Sequence, residues 1–392
     1  MPPTHARVAS VGPEQAPPGA PGATTVPTPV LPDYGGPCLS GVLPAILGRR
    51  GEVPAPWLPP AAVEASQVVL LVLDGLGWEQ LAAHRGLTPG LSAMSGGAIS
   101  SVVPTTTATA LTSITTGTTP AVHGVVGYRV RVDEDRVMNV LRWRVGGGDA
   151  RMMVPPVSFQ PLPAFGASEA PAVTRSEFAE TGFTAAHLGG ARLRGWRMPS
   201  SLVVEVARLA RQGEPFIYAY YDGIDKVAHE WGLEEHYRSE LAFADRLVSE
   251  VAAALPPGVA LVVTSDHGQV AVGDAVVPLA DEVTAEVTLV SGEGRFRWLH
   301  ARPGATEAVA ERARAAYGHL AWVRTRDEAV DEGWFGGPLR PGVAERLGDV
   351  ALVPHAPVAF GDPADTGELK LVSRHGSLTA EEMWVPLLVW VP

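Results

Sequence analysis

Residues 67–78 read QVVLLVLDGLGW. The first seven are aliphatic with hardly a break, too short for a typical helix and the right length for a strand. Because polar residues do not alternate through the run, both faces of that strand are expected to be buried, as in a parallel sheet. The run ends at Asp74, followed by glycine. A carboxylate there is either a helix cap or part of a site, since open α/β sheets place their ligands beyond the carboxyl ends of the strands. Whether the pattern repeats decides the fold.

It does repeat. Further runs occur at 98–103 (AISSVV), 215–221 (PFIYAYY), 259–264 (VALVVT) and 385–391 (VPLLVWV). Helical patterns at 78–84, 107–117, 202–212, 234–254 and 305–317 separate them. This alternation predicts an α/β fold with a mostly parallel central sheet and helices on both faces. The stretch 281–350, with EVTLVSGEGRFRWLHARP, a helix and AWVRTRDEA, reads as a small inserted α/β subdomain. Residues 1–37 hold ten prolines and read as a flexible arm. The main domain is then 38–280 together with 351–392.

At 392 residues and 46% hydrophobic, the chain can bury a large core. A net charge of −12 argues against a nucleic-acid or membrane-surface binder. The single cysteine, Cys38, excludes a disulfide framework and a cysteine-rich zinc site. No signal-peptide pattern or span-length apolar run occurs, so a cytoplasmic location is expected.

The ends of the runs carry a pattern of their own. Asp74 follows the first, and Asp225 and His229 (D-x-x-x-H) follow PFIYAYY. Asp266 and His267 follow VALVVT, and His375 stands before the last run. Taken singly, each has a plain explanation as a cap, a turn residue or a satisfied structural histidine. Together, three aspartates and three histidines at one sheet edge make a mixed oxygen and nitrogen donor set of the kind zinc accepts.

The segment SVVPTTTATALTSITTGTTPAVHG, 101–124, adds nine threonines. Capping accounts for one or two. A hydroxyl at a helix N-terminus near metal ions is also a nucleophile in waiting: metals lower its pKa, and free N–H groups receive a phosphate. A dinucleotide-binding reading of DGLGWEQ fails for want of a third glycine and of a ribose-binding acid. P-loop and G-x-S-x-G patterns are absent.

The order Asp74, PTTT with its helix, TGTTPAVHG, D-x-x-x-H, SDHG and RHG resembles the alkaline phosphatase superfamily, in particular its nucleotide pyrophosphatase/phosphodiesterase branch and bacterial relatives. The resemblance spans about residues 67–392 and implies an alkaline phosphatase-like doubly wound sheet. It also implies two divalent metal ions, Zn²⁺ first and Mn²⁺ as the alternative. Asp225, His229 and His375 would hold one; Asp74, Asp266, His267 and Thr107 would hold the other. Thr107, third after Pro104, would be the nucleophile, forming a phosphothreonine that water then hydrolyses. Thr105 and Thr106 would be capping residues and His123 structural. The implied substrate is a small phosphodiester or pyrophosphate, a nucleotide among them. A phosphomonoesterase, phosphonate hydrolase or phosphomutase on the same ligands is the alternative. Sulfatases share the fold, but Cys38 lies far from the helix start. Arg192, Arg194 and Arg197 are candidates for a phosphate contact or else plain surface residues.

Overall fold

The computed structural model describes residues 26–48, 55–365, 367 and 370–391. Its central element is a seven-stranded sheet. In spatial order its strands are Ser95–Ser100, Trp384–Trp390, Val259–Thr264, Gln67–Leu73, Phe216–Tyr221, Pro171–Arg175 and Arg192–Trp196. The last five pair in parallel. Trp384–Trp390 runs antiparallel to both of its neighbours. The sheet is therefore mostly parallel, with one reversed strand.

Its aliphatic strands divide two packed layers, as the unbroken apolar runs require. Val68, Leu70 and Val72 point into one buried cluster, with Ile114 and Leu111 of the Thr107–Thr116 helix. Val69, Leu71 and Leu73 point into the other, with the helices Pro199–Arg211 and Glu235–Ala254. The strands Pro171–Arg175 and Arg192–Trp196 were not expected. Both are short, and the outer one has an intermediate or exposed residue at four of its five positions. Arg192–Trp196 is the edge strand and has no apolar run to betray it, and Pro171–Arg175 is too short to show one.

Beside two short two-stranded ribbons, Val270–Ala271 with Ser373–Arg374 and Val276–Val277 with Ala359–Phe360, two four-stranded sheets are found among the described residues. One is an antiparallel meander within residues 129–149. The other orders Val287–Glu293, Phe296–Ala301, Val350–Pro354 and Ala321–Thr325, with the Thr306–Tyr317 helix packed on it. Because Val350–Pro354 belongs to this sheet, a boundary between 350 and 351 would cut a strand.

Residues 1–25 of the proline-rich arm lie outside the described residues. The rest of it is tied down: Val30 N–H donates to Leu378 O at 2.9 Å, and the Tyr34 hydroxyl to Trp334 O at 2.8 Å. No helix among the described residues is long and apolar enough to cross a membrane.

Candidate active site

Asp74 and Asp266 follow adjacent parallel strands in register, Val72 beside Thr264. That register brings carboxylates 192 positions apart in sequence to one spot on the carboxyl edge. Asp225 and His229 sit one turn apart on the Gly223–Trp231 helix, which leaves the neighbouring strand Phe216–Tyr221. His375 precedes the reversed strand, whose N-terminal end lies at the same edge. Antiparallel direction is what lets a residue before a strand join residues after strands.

Two groups of donor atoms result, each within 4.8 Å of one another: Asp74, Asp266 and His267, and Asp225, His229 and His375. In the first, His267 Nε2 lies 3.4 Å from both Asp74 Oδ1 and Asp266 Oδ2. In the second, Asp225 Oδ1 lies 3.3 Å from His229 Nε2 and 3.7 Å from His375 Nε2. Thr107 is the first residue of its helix, and its hydroxyl lies 3.2 Å from His267 Nε2. All seven expected site residues thus come together.

Backbone carbonyls orient the imidazoles. Ser373 O binds His229 Nδ1 at 2.7 Å, and Thr105 O binds His375 Nδ1 at 2.8 Å. Each ring thereby keeps Nε2 for the site. Gly75 and Gly268 allow the close approach: a Cβ on Gly75 (φ +77°) would stand 2.9 Å from Asp225 Cβ, and one on Gly268 would run into Glu381 O.

The electrostatics fit a missing positive charge. Burial, reinforced by Asp266 and Asp225, pushes the Asp74 carboxyl well above the usual range. Burial, reinforced by His267 and His229, holds His375 well below the ordinary imidazole value. Asp74 Oδ1 and Asp266 Oδ2 are buried without a hydrogen-bond partner among the described residues. Unmatched carboxylate oxygens in a dry site are costly, and a cation is their natural complement.

The threonine-rich helix is also explained. Thr106 occupies the N-cap position but makes no side-chain capping bond. Thr105 turns instead to the 375–377 segment, donating to Ser377 O at 2.8 Å and accepting from Gly376 N–H at 3.0 Å. Capping is therefore not what these two do. Thr112, Thr115 and Thr116 satisfy their hydroxyls on Ala108 O, Leu111 O and Thr112 O. His123 binds Ser113 Oγ at 2.8 Å and accepts from Val125 N–H at 3.0 Å, and burial holds it down to about 3. It is a neutral structural residue.

Sequence reasoning missed several neighbours. The Tyr220 hydroxyl donates to Asp74 Oδ2, and Gln269 Nε2 donates to Asp225 Oδ1 at 2.6 Å. A polar-tipped aromatic inside a buried strand was the available signal for Tyr220. A cavity of about 730 Å³ opens over Asp74, Thr107, Asp225, His229 and His375, with Phe178, Phe183, Tyr218 and Tyr220 along its wall. Arg192, Arg194 and Arg197 are not part of that lining, and Arg192 is paired with Glu214 at 2.6 Å. Arg142, Arg144, Lys226 and the buried Arg374 line it instead.

Residues 68–378 match the family model described as type I phosphodiesterase / nucleotide pyrophosphatase. Murine ectonucleotide pyrophosphatase / phosphodiesterase 5 is structurally similar, with a TM-score of 0.62 at 16% identity, covering 82% of this chain and 87% of that one. The same figures hold for its inactive variant in complex with AMP. Phosphonoacetate hydrolase from Sinorhizobium meliloti 1021, in complex with phosphonoformate, has a TM-score of 0.62 at 20% identity, covering 83% and 90%. At these identities the likeness is one of fold. No curated protein matches the chain.

Proposed function

This chain belongs to the type I phosphodiesterase / nucleotide pyrophosphatase family, and from that premise we propose that it hydrolyses phosphodiester or pyrophosphate bonds of nucleotide-type molecules through a phosphothreonine at Thr107. Membership makes it a phosphoryl-transfer hydrolase of the alkaline phosphatase superfamily. The finer reading rests on the site, and one observation carries it: the Thr107 hydroxyl heads a helix 3.2 Å from His267 Nε2, beside both donor groups.

The orphaned Asp74 and Asp266 oxygens and the carbonyl-oriented histidines suit a pair of divalent cations. Asp74, Asp266 and His267, with Thr107, would hold one; Asp225, His229 and His375 would hold the other. Zinc suits the mixed donor set, with manganese as the alternative. When bound, such a pair lowers the pKa of a hydroxyl and neutralises charge on attacking and leaving oxygens.

The chain's own groups do the rest. Because Thr106 makes no side-chain capping bond, the first-turn N–H groups stay available to a phosphoryl oxygen. Thr107 Oγ gives up its proton and bonds to phosphorus as the bond to the leaving oxygen breaks. Water then attacks the same phosphorus and restores the threonine. The buried, unpaired Cys38 suits a reducing, cytoplasmic compartment. The sheet spanning Val287–Pro354 serves in this reading as an inserted subdomain.

The test is a substrate screen with zinc or manganese, comparing a nitrophenyl diester, a nitrophenyl monoester, phosphonoacetate and dinucleotides. The diester and dinucleotides should give the highest kcat/KM. A monoester or phosphonate preference of about tenfold, ~1.4 kcal/mol of transition-state binding, would move the enzyme to the alternative class.

A further inference from the structure

The cavity over Thr107 extends beyond the candidate metal ligands. Tyr128, Arg142, Arg144 and Gly367 line both it and a second cavity of about 790 Å³. The two arginines therefore stand where the cavities meet, Arg142 on the turn that follows the Val137–Asn139 strand and Arg144 at the start of the next, Arg144–Val145.

That turn is built around Trp143. It is 1% exposed and lies at φ +52°, in the left-handed region. A bulky side chain holds that conformation only where its surroundings over-determine it, and such positions cluster at ligand sites. Here the indole donates to Val154 O at 2.8 Å and packs edge-on to Phe159, with centroids 5.4 Å apart. It also fills the space left by Gly182, where a Cβ would collide with it. Gly182 opens the short helix that brings Phe183 and His187 to the cavity wall. Locking Trp143 down thus fixes the backbone from which both flanking arginines reach the cavity lining.

Neither arginine forms an ion pair within 4.0 Å among the described residues. Arg142 uses its backbone N–H on Asn139 Oδ1 at 2.9 Å, and its guanidinium has no partner among the described residues. Arg144 gives Nε to Gly147 O at 2.7 Å, a neutral acceptor. The neighbouring cations differ: Arg129 is paired with Asp362 and Asp365, and Lys226 with Asp222 at 2.6 Å. Of the nearby acids, Asp135 pairs with Arg136, Asp149 with Arg151, and Glu177 with Arg175 and Lys226, while Glu293 lines the same cavity. Two guanidinium groups face a ligand-sized cavity in a chain of net charge −12, Arg142 without a side-chain partner among the described residues and Arg144 sharing only the field of Asp149 across its strand pair.

We propose that Arg142 and Arg144 form an anion subsite for a second charged group of the substrate, a phosphoryl or a carboxylate, while the phosphorus under attack lies at Thr107. This deepens the function proposed above and rests on it. Guanidinium forks suit both oxyanions.

The test compares wild type with R142A/R144A on nitrophenyl phosphodiesters that differ only in the tail: neutral, carboxylate-bearing or phosphate-bearing. Both side chains are solvent-facing, and a thermal melt checks the fold of the variant. The variant should lose about tenfold or more in kcat/KM on the anionic tails, mainly through KM, as charge-assisted contacts predict. The neutral-tail ester should change by less than about threefold, and R142K/R144K should recover part of the loss. Equal losses on all tails, or no wild-type preference for an anionic tail, would overturn the subsite. Titrating the anionic-tail esters into Thr107→Ala, with and without R142A/R144A, reads binding without turnover. Weaker binding in the triple variant supports the subsite even if wild type cleaves no diester, and that failure would count against the proposed function alone. The tail bound more tightly identifies phosphoryl or carboxylate as the preferred group.

Discussion

His267 and His375 stack face to face, with ring centroids 3.4 Å apart and planes 13° from parallel. One belongs to the Asp74 group and the other to the Asp225 group. The two donor groups are thus joined through a pair of imidazoles, yet each keeps its own carboxylates. Replacing His375 with Ala should lower the loaded metal content from about two equivalents per chain to about one. Elemental analysis of the variant reads this directly, and two retained equivalents would contradict the assignment.

Thr107→Ala should lower kcat by roughly 10⁴-fold, the scale for losing a nucleophile, while metal content stays near that of wild type. Thr106→Ala should keep most of the activity, because its hydroxyl makes no capping bond. Steady-state rates for the pair decide the register. A dead Thr106→Ala beside an active Thr107→Ala would shift the nucleophile by one residue.

Tyr220→Phe removes only the hydroxyl that donates to Asp74. The ring keeps its packing, but the carboxylate loses the contact that orients it. Cation affinity at the Asp74 group should fall by about tenfold, the lower end for losing an orienting partner. The Asp225 group should be unaffected. Competition with a chelating dye resolves the two affinities, and unchanged values for both would remove Tyr220 from this role.

Acid should destabilise the fold through buried histidines away from the metal groups. Burial holds His123 and His300 at about 3 and His187 at about 4. In the unfolded chain they titrate near ~6.5. Between those values the unfolded state binds protons that the folded state refuses, so stability rises with pH there. It is fully present above ~6.5 and is lost as pH falls toward the folded values, by up to ~1.4 kcal/mol per unit for each histidine. Melting temperatures from pH 7 to 4.5 should therefore slope downward, and His123→Gln should slope less. A flat wild-type profile would refute the mechanism.

Local chemistry made much of this molecule legible in one dimension. Gln67–Leu73, Phe216–Tyr221 and Val259–Thr264 announce themselves because strands buried on both faces need unbroken apolar runs. Asp74, Asp225 and Asp266 could be picked out because a charge just past such a run needs a reason. The strands Pro171–Arg175 and Arg192–Trp196 gave no such signal: the first is buried but only five residues long and opens on proline, and the second is an edge strand where little burial is demanded.

What the chain could not reveal by itself was which residues meet. Strand order places 259–264 and 216–221 on either side of 67–73, and register then sets Asp266 beside Asp74 and Tyr220 beneath it. The same holds for the arginines: Arg192, Arg194 and Arg197 stood out in the sequence, but Arg142, Arg144 and Arg374 are the ones that line the cavity. Apolar periodicity and residue type are local properties, so the sequence alone determined the fully buried strands and the candidate donors. Distances between side chains depend on strand order, direction and register, which many weak long-range contacts settle together, so only the tertiary structure decided the partners.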